Sequence, residues 1–206
     1  MYHGERLNSI SHLLGAVAAA AGVAVLVVLA AQQGDVWKLV SFSVYGATLL
    51  LLYIFSTLYH SARGRAKPIL AKLDHSAIFF LIAGTYTPFT LVTLRGVWGW
   101  TLFGLVWTLA IFGIVVDALH RWNGRRILPV VLYVVMGWLV LIALKPLLAA
   151  LPRAGVLWLV AGGLFYTVGI VFYALDKKLR HAHGIWHLFV LAGSISHYLA
   201  VVLYVD

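Results

Sequence analysis

Apolar residues fall in long uninterrupted blocks along this chain, and short polar stretches separate the blocks. Blocks of this length suit helices that cross the roughly 30 Å hydrocarbon core of a bilayer at about 1.5 Å per residue. Seven can be delimited, at residues 13–31, 39–60, 71–94, 97–119, 127–144, 155–175 and 184–205. The pattern predicts an all-α integral membrane protein: seven transmembrane helices in one domain covering residues 1–206. The first block has the alanine content of a secretory signal. The lead before it is nearly charge-balanced, however, and the block is longer than an ordinary signal core, so it is read as a retained span. Pro88 lies inside the third block and is expected to kink that helix, because proline removes a backbone hydrogen bond there. Pro146 and Pro152 mark Lys145 to Ala154 as a connection.

Composition confirms the class. At 63% hydrophobic and 10% charged residues, the chain is too apolar for an ordinary soluble domain. A net charge of +9 would suggest nucleic acid in a soluble protein. Here the basic residues occupy short gaps between spans, where they set orientation and meet anionic lipid headgroups, and no nucleic-acid partner is expected. Of the 15 lysines and arginines, 11 fall in the lead and in the gaps after the second, fourth and sixth spans, and 4 on the opposite side. Positive residues stay inside, so the N-terminus is expected in the cytoplasm and the C-terminus outside the cell membrane. The absence of cysteine removes disulfides and thiolate zinc sites, leaving any metal to nitrogen and oxygen ligands.

The residues that do not suit a bilayer carry the chemistry, since ligating side chains inside a span are costly and mark function. His183 and His187 open the seventh span one helical turn apart, about 40° round the axis and about 6 Å along it, so one ion can lie between them. His60 ends the second span at the same expected depth, and Asp74 begins the third. Three imidazoles from two helices leave a fourth tetrahedral position open, as hydrolytic zinc centres do. Ser56 shares a helix face with His60. It is placed either to orient water and a developing oxyanion, or to bond back to its own helix. His12, His75 and His120, taken singly, read as interfacial histidines. His197 returns to the azimuth of His183 about 21 Å further along the helix. With Ser194 it reads as a buried interhelical hydrogen bond, or alternatively as a polar extension of the site. Glu5, Asn8 and His12 form one stripe if the lead is helical. They then close the metal site from the cytosol, one of them orienting a ligand imidazole, or else form a solvated helix start. Asp117 and Asp176, beside basic residues, read as ion pairs that set orientation.

Glu5-x-x-Asn8-x-x-x-His12, Ser56-Thr-Leu-Tyr-His60, Leu73-Asp74-His75-Ser76 and His183-Gly-Ile-Trp-His187 together resemble the hemolysin III branch of the progestin and adiponectin receptor superfamily. The resemblance covers nearly the whole chain. It implies that His60, His183 and His187 ligate Zn2+, that Asp74 contacts the ion through water, and that the fold is related to membrane enzymes such as alkaline ceramidases. The expected activity is zinc-dependent hydrolysis of a lipid amide or ester inside the membrane, with Asp74 as general base, Ser56 assisting, and a membrane lipid or fatty-acyl substrate. A non-enzymatic membrane-state sensor with a structural zinc is the alternative. A haemolytic pore is the least favoured, because a pore needs a continuous polar lining and the polarity here is clustered at one depth.

Overall fold

The computed structural model describes residues 4–119 and 127–206, and every regular element among them is helical. In chain order they are α1 (Arg6–Gln33), α2 (Val36–Ser61), α3 (Lys67–Pro88), α4 (Val97–Leu119), α5 (Ile127–Gly137), α6 (Leu144–Ala150), α7 (Arg153–Ala174) and α8 (Ala182–Tyr204). A π turn at Phe89–Thr93 prolongs α3, and a 3-10 stretch at Leu139–Ala143 joins α5 to α6. Counted as membrane-crossing units these give seven spans, the third being Gly64–Thr93 and the fifth Ile127–Ala150. The basic gap from His120 to Arg126 lies outside the described residues.

Three expected boundaries change, each for a local reason. The first helix starts at Arg6, not residue 13, because Asn8, Ser9, Ser11 and His12 are buried against the bundle and the polar lead is itself helical. The third helix starts at Lys67, not residue 71, with Pro68 in its first turn, where a missing N–H costs nothing. Pro88 ends the α-helical pattern of α3, and the π turn begins directly after it. The fifth span does not run straight to residue 144. Its α-helix stops at Gly137, and residues expected to form a connection instead make α6. The remaining ends lie within three residues of the expected ones.

The break in the fifth span is held from α3. The Tyr86 hydroxyl donates toward the carbonyls of Met136 at 2.8 Å and Gly137 at 3.1 Å, and accepts from the Val140 N–H at 2.9 Å. Backbone groups freed within a bilayer need such partners, because lipid offers none. Small residues elsewhere let the helices approach closely. A Cβ on Gly15 of α1 would stand 2.6 Å from the Tyr53 ring of α2, and one on Gly193 of α8 would stand 2.8 Å from the Tyr166 ring of α7. α1 packs along α2, α2 along α3, α7 along α8, and α8 returns to α1. Leu14, Val17, Ile111, Phe112, Leu157 and Val171 face outward, as lipid-facing positions do. The end of α2 and the starts of α1, α3 and α8 share one end of the bundle, which gathers residues distant in sequence.

Candidate metal centre

His60 sits in the last turn of α2, and His183 and His187 in the first turns of α8. Their three rings form a nearly equilateral triangle: centroids are 5.1 Å apart for His60 and His183, 4.8 Å for His60 and His187, and 4.9 Å for His183 and His187. One nitrogen from each lies within 4.8 Å of the others, so the three can hold a metal ion together. His60 and His187 are each 2% exposed, while His183 forms the more open side.

The Nδ1 atom of each ring has an oxygen neighbour. His60 Nδ1 donates to Glu5 Oε2 at 2.6 Å. His187 Nδ1 donates to the Asn8 carbonyl at 3.1 Å, with Ser11 Oγ at 3.5 Å. His183 Nδ1 lies 3.7 Å from Asp176 Oδ2. A carbonyl or carboxylate oxygen can only accept, so these contacts place the proton on Nδ1 of His60 and His187 and leave Nε2 with a free lone pair. His60 Nε2 is sealed from solvent and has no hydrogen-bond partner. A buried nitrogen acceptor left unpaired is costly, and a cation between the three rings removes that cost, so the residues present fit a divalent ion bound through imidazole. Burial would raise the Glu5 carboxyl, but hydrogen bonds from His60 and Asn8 and the charges of His60 and Lys67 outweigh it and hold Glu5 below the ordinary carboxylate value.

The other residues singled out in the sequence are placed as follows. Ser56, 1% exposed and one turn before His60, and Asp74, half-buried in the second turn of α3, both line the cavity that His183 and His187 border. Glu5 reaches His60 while bonded to Asn8 Nδ2 at 2.8 Å and Lys67 Nζ at 3.3 Å; Asn8 itself serves His187 through its backbone. His12 does not join the ligand group. It stacks on His187 with centroids 3.7 Å apart and planes 18° apart, and neither of its nitrogens has a hydrogen-bond partner. His197 also lines the cavity, and it makes the interhelical hydrogen bond expected of it. Ten residues beyond His187, or about 15 Å along α8, it donates from Nε2 to the Leu159 carbonyl at 3.1 Å and ties α8 to α7.

Asp176, read from the sequence as an ion pair that sets orientation, has its carboxylate beside the His183 imidazole. No spacing rule reveals it. The contact depends on the turns between α7 and α8, where His181 adopts a left-handed φ of 65° just before the helix begins.

The cavity measures about 120 Å³. Beyond the histidines its walls turn apolar, with Leu52, Ile78, Ile82, Val134, Ile170 and Val190. The broken fifth span and α7 also border it, and there the Trp138 indole donates to Thr167 Oγ1 at 3.1 Å. A candidate metal centre thus adjoins a largely apolar cavity with a serine and a carboxylate on its wall.

Seven membrane-crossing helical spans enclosing a buried three-histidine group define a multi-pass membrane protein with a candidate metal centre. Sequence comparison narrows this class. A family model described as Haemolysin-III related matches residues 1–198, and the chain belongs to that family. Hemolysin-3 of Bacillus cereus is 45% identical over 204 residues, covering 98% of this chain and 91% of the relative. The Hemolysin-3 homolog of Bacillus subtilis is 45% identical over 201 residues, covering 97% and 93%. The Monocyte to macrophage differentiation factor of Homo sapiens is 28% identical over 204 residues, covering 94% and 81%.

Proposed function

We propose that the protein is a zinc-dependent hydrolase of a lipid amide or ester, working in the cytoplasmic half of the cell membrane. The observation that carries this reading is the juncture of three imidazoles with an apolar-walled cavity that Asp74 and Ser56 also line. Zinc held there supplies Lewis acidity and makes water a stronger acid near neutral pH. Asp74 accepts a proton from the attacking water and returns it to the departing amine or alkoxide as the acyl C–N or C–O bond breaks. Ser56 donates a hydrogen bond toward the carbonyl oxygen as negative charge develops. The apolar walls hold the acyl chain and exclude bulk water. Orientation rests on the basic gaps, which also attract anionic headgroups on the cytoplasmic face.

The test uses purified full-length protein, with elemental analysis for bound metal and chromatography for fatty acid released from a total membrane lipid extract. Zinc at about one per chain, acyl release by wild type, and its loss in Asp74→Asn with zinc retained are expected. Full activity after chelation, or an unchanged rate in Asp74→Asn, overturns the proposal.

A second reading is a membrane-state sensor in which zinc only staples helices. It draws on the placement of the ligands on two different helices, α2 and α8, because a metal that bridges elements contributes its binding energy to folding. Zinc-loaded protein that releases no acyl product from any lipid, yet loses thermal stability on chelation, would favour it. The names of the bacterial relatives point to cytolysis; conductance in planar bilayers by purified protein would bring that reading forward.

A further inference from the structure

Each of the three imidazoles has an oxygen from outside its own helix beside its Nδ1, at hydrogen-bond distance for His60 and His187 and at 3.7 Å for His183. For His187 that oxygen is a backbone carbonyl, fixed by the path of α1. For His60 and His183 it belongs to a carboxylate, and both carboxylates stand just outside the spanning helices: Glu5 immediately before α1, and Asp176 in the turns between α7 and α8. We propose that Glu5 and Asp176 are positioning residues of the metal centre, fixing the ring orientation and raising the ligand strength of His60 and His183. The inference rests on the metal reading above.

The geometry distinguishes the two. Glu5 is a rigid partner. One oxygen meets His60 at 2.6 Å, the other takes Lys67 Nζ at 3.3 Å, and Asn8 Nδ2 donates at 2.8 Å, so the carboxylate cannot swing away without breaking three contacts. Asp176 stands 3.7 Å from His183 Nδ1, an ion-pair distance beyond a good hydrogen bond, so it acts through charge. A carboxylate behind a ligating imidazole polarises the ring and pins its tautomer, and losing such a partner weakens metal binding about 10- to 100-fold. Glu5→Gln, which keeps an acceptor of the same shape but removes the charge and disturbs the Lys67 contact, should fall toward the large end of that range. Asp176→Asn should fall toward the small end.

The experiment titrates zinc into metal-free full-length protein in detergent against a chromogenic chelator, for wild type, Glu5→Gln, Asp176→Asn and Asp176→Glu. The thermal midpoint of each metal-free protein is measured in parallel. Support consists of zinc affinities lowered about 10- to 100-fold in Glu5→Gln and Asp176→Asn, metal-free midpoints equal to wild type, and recovery of affinity in Asp176→Glu. Affinities within twofold of wild type in both charge-removing variants overturn the proposal while leaving the metal centre intact. A metal-free midpoint that falls in step with affinity also overturns it, by showing a structural role. If Glu5→Gln does not yield folded protein, Asp176→Asn and its rescue decide the matter alone. Wild-type protein that binds no zinc overturns this proposal together with the one it rests on.

Discussion

Tyr86→Phe isolates one hydroxyl at the break in the fifth span. That group has one proton to donate, shared between the Met136 and Gly137 carbonyls, and it accepts one bond from the Val140 N–H. The substitution leaves ring volume and α3 unchanged but strips partners from backbone groups that sit between two helical segments. Interhelical hydrogen bonds in membrane proteins average about 0.6 kcal/mol and reach about 1.7 kcal/mol. Two of them lost together come to about 1–3 kcal/mol, since the freed N–H and carbonyls find no water in the bilayer core. At about 2–4 °C per kcal/mol for a chain of this size, the thermal midpoint should fall by about 2–12 °C. Intrinsic tryptophan fluorescence during a thermal ramp in mild detergent measures this, and Trp138 lies beside the break to report it. Any metal held by the three histidines should stay bound, because the Tyr86 hydroxyl serves Met136, Gly137 and Val140. A midpoint within about 1 °C of wild type would refute the reasoning and show that the break is held by its own backbone.

Two further substitutions probe the approach of α1 to the centre. A Cβ on Gly184 would collide with the end of the Leu7 side chain and stand 3.1 Å from Asn8 Oδ1, so Gly184→Ala pushes the first turn of α1 off α8. Overpacking of this kind costs about 1–3 kcal/mol, and a lower thermal midpoint with weakened zinc binding is expected; an unchanged affinity would show that the Asn8 carbonyl does not steer His187. His12→Phe keeps the ring stacked on His187 and replaces two buried nitrogens that have no hydrogen-bond partner, so stability should hold or rise and zinc content should persist. A clear drop in midpoint, with zinc retained, would mean that water or a ligand serves that imidazole in the working protein.

Much of this protein can be read from its sequence alone. The apolar blocks set the number of spans, because crossing a bilayer is a requirement on local length and polarity that no distant contact needs to supply. The same argument placed His60, His183 and His187 at one depth, since depth follows from position within a span and one helical turn sets the separation of the last two. The tertiary structure decided how the rings are held. Glu5, the Asn8 carbonyl and Asp176 reach their imidazoles across separate elements, and each contact depends on azimuth and turn geometry, to which the hydrophobic pattern is blind. His197 shows the same limit, because depth along α8 did not reveal that its partner would be the Leu159 carbonyl on α7. The broken fifth span was hidden for a similar reason. Its residues are uniformly apolar, and only a hydroxyl offered by α3 makes it possible to end the helix at Gly137 inside the membrane.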